Sequence, residues 1–245
     1  MKHTRFPAGC APVVLLLALA GCSGAGGISL DDLIATAGAL QRPESDARTV
    51  AAGLREALRV GTERSVATTS RTNGFFGNSL IRIALPDELR TAARGLRAVG
   101  LGGQVDELEL SMNRAAERAA GEATPVFVDA IAGLSITDAY AILRGNERAA
   151  TDYFETQTRE PLAQRFAPIV DASMQQVGLV QLYDRVIGQI AALPLVSAPT
   201  VDLREYVTDR ALAGLFTVLA QEERRIRRDP AARSTALLRQ VFGRN

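Results

Sequence analysis

VDELELSMNRAAERAA, residues 105–120, reads as an amphipathic helix with two neighbouring stripes. Val105, Leu108, Met112, Ala115 and Ala119 form an apolar one, and Leu110, Asn113, Arg114 and Glu117 follow beside it at i, i+3, i+4 and i+7. The second stripe is mixed in chemistry. If Leu110 is buried, Asn113 and Glu117 enter the interior with it and need partners there, with Arg114 as the nearest cation. Such an Asn113/Arg114/Glu117 cluster is either a structural network or the polar spot of a pocket, and the network is the simpler reading because ion-pair networks outnumber sites.

The pattern recurs towards the C-terminus. On a long helix expected over residues 202–228, Leu212, Leu215, Phe216 and Leu219 line one face and Ile226 continues it, while Glu222 and Glu223 occupy intervening positions. Two adjacent carboxylates at a core edge are the minimum for general acid and base chemistry. Arg225, Arg227 and Arg228 lie within a turn of them, however, so a salt-bridged helix end reaching solvent is the expected arrangement. Asp129, Asp138 and Asp152 are further acids that a fold would have to bring together before they could form a site, and a helix cap accounts for Asp138 equally well.

Between these two helices and before them, the chain reads as helix after helix. Helices are predicted from Ser29, over 44–70 after Pro43, from Pro86 to the glycines at 100–103, and over 125–132, 137–144 and 146–160. Gly133 and Gly145 act as stops, and Ser135 and Asp138 form a capping-box pattern. Pro168 is expected to kink a helix, Pro194 and Pro199 to mark a loop, and Asp229-Pro230 to cap a last helix ending near Gly243. Residues 71–85 differ. Asn73-Gly74 and Gly77-Asn78 bracket Phe75-Phe76, after which Ile81, Ile83 and Leu85 alternate with Arg82 and Ala84, predicting a short extended segment near 79–85. The paired phenylalanines are either an apolar lid or partner-binding knob, or a plug for the end of the bundle. The fold class is therefore all-α, a single-domain multi-helix bundle with one short extended segment, without internal repeats or an obvious division after residue 44.

The N-terminus carries the clearest address. Lys2, His3 and Arg5 precede a short apolar run, Val13 to Ala20, which is too short to span a bilayer, and Leu19-Ala20-Gly21-Cys22 has the small residues and cysteine of a bacterial lipoprotein signal. The expected organisation is a signal peptide over 1–21, a lipidated tether and short helix over 22–44, and a helical domain over 45–245. A diacylglyceryl group on Cys22 and an acyl chain on the new N-terminus would together give a firm anchor. Ser23, where the similar inner-membrane retention signal has Asp, points to the outer membrane.

Processing at this signal removes the only lysine, the only histidine and Cys10, and takes the formal charge from +1 to −1. Without histidine or a free thiol, Ser-His-Asp and Cys-His catalysis, ordinary zinc sites and internal disulfides are excluded from the mature chain. Mixed charge argues against nucleic acid, and the absence of tryptophan against a stacking sugar groove.

Several blocks carry a family resemblance: LSMNRAAE at 110–117, FVDAI at 127–131, FAPIV at 166–170, DRALAGLF at 209–216 and RRDPAAR at 227–233. Over roughly residues 53–242 the chain resembles the bacterial domain of unknown function 4197. That resemblance implies an exported, helical, single-domain protein and no particular reaction. The expected function is an outer-membrane lipoprotein facing the periplasm, needing no cofactor and acting as a non-enzymatic binding or envelope-maintenance module. Its contacts would be the membrane through the lipid and an envelope protein as partner. The alternatives are a carrier of an apolar ligand within the bundle and a carboxylate-dependent hydrolase.

Overall fold

In a computed structural model, residues 30–176, 179–191 and 201–242 are described. The expected signal peptide, lipidated Cys22 and tether, the loop expected at Pro194 and Pro199 and the end expected near Gly243 lie outside these residues. Two units emerge, Met1–Arg42 and Pro43–Asn245, and the second holds the hydrophobic core. The described elements are α1 (Leu30–Ser70), α2 (Asp87–Ala98), α3 (Gly102–Ala120), α4 (Thr124–Ala132), α5 (Ile136–Arg144), α6 (Ala149–Gln176), α7 (Leu179–Ala191), α8 (Leu203–Arg228) and α9 (Ala236–Phe242). No strand occurs among the described residues, so the fold is all-α.

Helices α3, α6 and α8 pack on one another and form the centre of the domain. On α3 the whole apolar stripe is buried, from Val105 through Leu108, Met112 and Ala115 to Ala119. On α8 Leu212, Leu215, Phe216, Leu219 and Ile226 are buried likewise. Phe127 of α4 joins them edge-on, 5.6 Å from Phe154 of α6 and 6.4 Å from Phe216 of α8 between ring centres. These T-shaped contacts set each positive ring edge against a negative face, which fixes where α4 sits.

The helix punctuation follows from side-chain chemistry. Ser135 and Asp138 form a reciprocal capping box at the start of α5, and Asp202 accepts the Glu205 N–H at the start of α8. Helix α2 ends where Gly100 takes φ +83° and Leu101 N–H returns to the Leu96 carbonyl at 2.8 Å, a conformation that costs glycine nothing. Two expected breaks do not occur. The helices predicted from Ser29 and over 44–70 fall within one element, α1, and α6 runs through both Pro161 and Pro168. Both prolines lie on the exposed side of α6, where the carbonyls that lose their donors can be hydrated.

Residues 82–86 are neither helix nor strand, and 79–81 are a turn. The two-residue alternation is nonetheless present in burial: Ile81, Ile83 and Leu85 point inward, Arg82 and Ala84 outward.

Candidate functional site

The mixed stripe of α3 faces this irregular segment. Asn113 is fully buried and Glu117 nearly so, more than the Leu110 that was to draw them in. Asn113 Oδ1 accepts the Ile83 N–H at 2.9 Å, and its Nδ2 donates to the Ile83 carbonyl at 2.8 Å and the Glu109 carbonyl at 2.7 Å. The side-chain amide thus supplies both bonds that a neighbouring strand would give one residue. A lone extended segment can therefore be buried without a sheet.

Glu117 holds the preceding turn. Its Oε1 accepts from the Phe75 and Phe76 N–H groups at 3.2 Å each, and its Oε2 accepts from Arg114 Nη1 at 2.6 Å. Arg114 Nη2 in turn donates to Asn73 Oδ1 at 2.9 Å. Asn73 has φ +64°, and a Cβ at Gly74 would lie 2.5 Å from the carbonyl oxygens of Thr68 and Thr69, so this tight turn admits glycine alone at that position. The turn drives Phe75, with no exposed surface, against Gly214 of α8, while Phe76 is half-buried under the Arg82 guanidinium at 4.2 Å.

A second buried carboxylate sits on α8. Glu223 accepts from the Ala150 N–H at 3.0 Å, the Thr151 N–H at 2.8 Å and the Thr151 hydroxyl at 2.8 Å. It thereby caps α6 from another helix and complements the positive end of that helix dipole. Arg227 Nε donates to Glu223 at 2.9 Å, and its Nη2 donates to the Ile142 carbonyl at the end of α5, at 2.8 Å. The expected salt-bridged end of α8 is present, with Arg225 on Glu222 at 3.1 Å and Arg227 on Glu223 at 2.9 Å, but Glu223 is a core residue and does not reach solvent. Glu222 turns away from it towards Arg64 and Arg225.

The remaining acids stand apart. Asp138 belongs to the capping box, Asp152 pairs with Arg148 at 3.1 Å on the surface, and Asp129 is exposed on α4. Among the described residues no group of three His, Cys, Asp or Glu side chains is placed to hold a metal ion. No single described helix is long and apolar enough to cross a membrane.

Two concavities matter. One, of about 30 Å³, lies between α1, α6, α8 and α9, with Leu54, Leu58, Phe154 and Phe242 among its walls and Glu223 and Arg227 at its margin. This is room for about one water molecule. The other is an open cleft of about 700 Å³ between α4 and α6, where Asp129, Tyr153, Gln157, Pro161, Gln164 and Arg165 meet. Burial first, and the Asp138 carboxylate second, push the Tyr153 phenol up from its ordinary value. Asp129 was visible as a candidate in the sequence, but Tyr153 and Pro161 were not, because only the packing of α4 on α6 brings them together.

Neither a curated protein nor a solved structure matches the chain. A family model does, over residues 44–243, and its description is "Protein of unknown function (DUF4197)". These matched residues include α2 to α9 with the Asn113, Glu117 and Glu223 networks, and the chain belongs to this DUF4197 family.

Proposed function

We propose that this chain is a lipid-anchored protein of the bacterial envelope, held at the outer membrane through Cys22 with its helical domain in the periplasm, and that it works by binding. What supports the binding reading is the use made of the buried polar groups. Glu117 and Glu223 each accept two backbone N–H groups and an arginine, and Asn113 is bonded through both ends of its amide. A general base or nucleophile needs a free lone pair facing a substrate, and these carboxylates spend theirs on holding the fold. The carrier alternative would need an enclosed apolar volume, and the concavity among α1, α6, α8 and α9, at about 30 Å³, is far smaller than an acyl chain.

The anchor rests on Leu19-Ala20-Gly21-Cys22 and on the loss of every other cysteine with the signal. Labelled palmitate is expected to enter the protein and follow it into the outer-membrane fraction. Incorporation that persists in Cys22→Ser, or a wild-type protein recovered unlabelled from the soluble fraction, refutes the anchor.

A further inference from the structure

Asn73-Gly74, in the turn that precedes Phe75, is the one Asn-Gly pair in the chain. An asparagine amide is open to attack by the backbone nitrogen of the next residue, which closes a five-membered ring through Cγ. Glycine hinders that attack least, having no Cβ and the freest backbone. Asn73 is exposed, so water and hydroxide reach it, whereas Gly74 is buried.

The closed turn holds the reacting atoms apart. Asn73 has φ +64°, and in that left-handed region ψ is about +30 to +60°, which sets the Gly74 nitrogen almost opposite Cβ across the Cα–C bond. The ring needs both on the same side. Three hydrogen bonds oppose the rotation: Gly74 N–H to the Arg71 carbonyl at 2.8 Å, Gly77 N–H to the Asn73 carbonyl at 3.0 Å, and Arg114 Nη2 to Asn73 Oδ1 at 2.9 Å. Turning the 73–74 peptide over breaks the first two and pulls on the Phe75 and Phe76 N–H groups that Glu117 holds.

We propose that Asn73 is a site of spontaneous deamidation, locked in the closed turn by Arg114 and Glu117 and released when the turn opens. Hydroxide takes the Gly74 N–H proton, and the nitrogen attacks Asn73 Cγ. The new C–N bond forms as the Cγ–Nδ2 bond breaks, and Nδ2 leaves as ammonia with a proton from water, which returns the hydroxide. Water then opens the succinimide at Cγ to give an ordinary aspartate, or at the backbone carbonyl to give isoaspartate. The aspartate keeps an oxygen for Arg114 and lets the turn close. Isoaspartate adds a methylene to the main chain just before Gly74, where even a Cβ would lie 2.5 Å from the Thr68 and Thr69 carbonyl oxygens. A chain so altered cannot seat Phe75 again, so isoaspartate at this position is a permanent record that the turn has opened.

The experiment incubates the purified full-length chain at mildly alkaline pH, native and in urea, and follows acid formation at residue 73 by peptide mass mapping and isoaspartate by enzymatic methyl transfer. The unfolded chain is expected to convert at least about tenfold faster than the native one, which corresponds to about 1.4 kcal/mol or more of turn opening. Arg114→Ala removes one hydrogen bond from the closed turn and should quicken the native reaction about two- to tenfold with unchanged circular dichroism. Glu117→Ala should bring it towards the unfolded rate. Glu223→Ala weakens the domain far from the turn, and below its melting range it should leave the rate at residue 73 as in wild type. Equal rates in native and unfolded wild type overturn the proposal, as does earlier conversion at Asn78, Asn113 or Asn146. If Arg114→Ala has no effect, or if Glu223→Ala quickens the reaction as much as Glu117→Ala, deamidation belongs to the globally unfolded chain and the lock is refuted.

Discussion

Replacing Glu117 by alanine removes one acceptor and strands three donors of unequal cost. The Phe75 N–H is buried and would be left without a partner, at about 1–3 kcal/mol, and the part-buried Phe76 N–H adds about 1 kcal/mol. Arg114 costs little, because its side chain is 29% exposed and can turn to water. The expected loss is about 2–4 kcal/mol, or a melting temperature lower by about 4–16 °C for a domain of this size. Glu117→Gln keeps the acceptor for both N–H groups and loses the ion pair, so it should lose about 1 kcal/mol. Urea unfolding of the two variants beside wild type separates these terms, with the midpoint moving and the slope constant. If the alanine variant unfolds with the wild-type midpoint, or if alanine and glutamine are equally damaging, the backbone-holding role assigned to Glu117 is wrong.

Gly214→Ala places a methyl group into the Phe75 ring and 3.2 Å from Ile81 Cβ, so denaturant unfolding should register a loss of about 1–3 kcal/mol; a neutral result would show that the turn can withdraw. Glu223→Ala leaves Arg227 and the first turn of α6 without their acceptor, and about 3–5 kcal/mol should be lost, with hydrogen exchange quickening at Ala150 and Thr151. Protection at those two amides that matches wild type would contradict the capping role. Elemental analysis of residues 23–245 should find no stoichiometric zinc, iron or copper, since this span has neither histidine nor cysteine. A bound transition metal, or a chelator-dependent fall in melting temperature, would reopen carboxylate catalysis.

The core faces of α3 and α8 were legible because a 3.6-residue period survives in their apolar residues, and Ser135, Asp138 and Asp202 announced their caps through residue type. The alternation at Ile81, Ile83 and Leu85 was legible too. That its partner would be the side chain of Asn113 was not, because a backbone N–H has no sequence signature. The pair Glu222 and Glu223 misled for a related reason. Identical and adjacent in sequence, they differ only in which one faces the start of α6, a fact of tertiary packing. The helix expected to end at residue 160 runs on past Pro161, because the exposed side of α6 tolerates the missing donor.

The acceptor that closes the first turn of α6 lies 72 and 73 residues further along the chain. During synthesis or export, α6 emerges long before Glu223 does, and for that interval its leading amides have only water to bond. The cap of α6 therefore cannot form in order from the N-terminus onward, and it waits for α8 to return across α6. Chains halted before residue 223 would expose an unfinished helix end and the bare apolar faces of α3 and α6, which is the form that proteases remove.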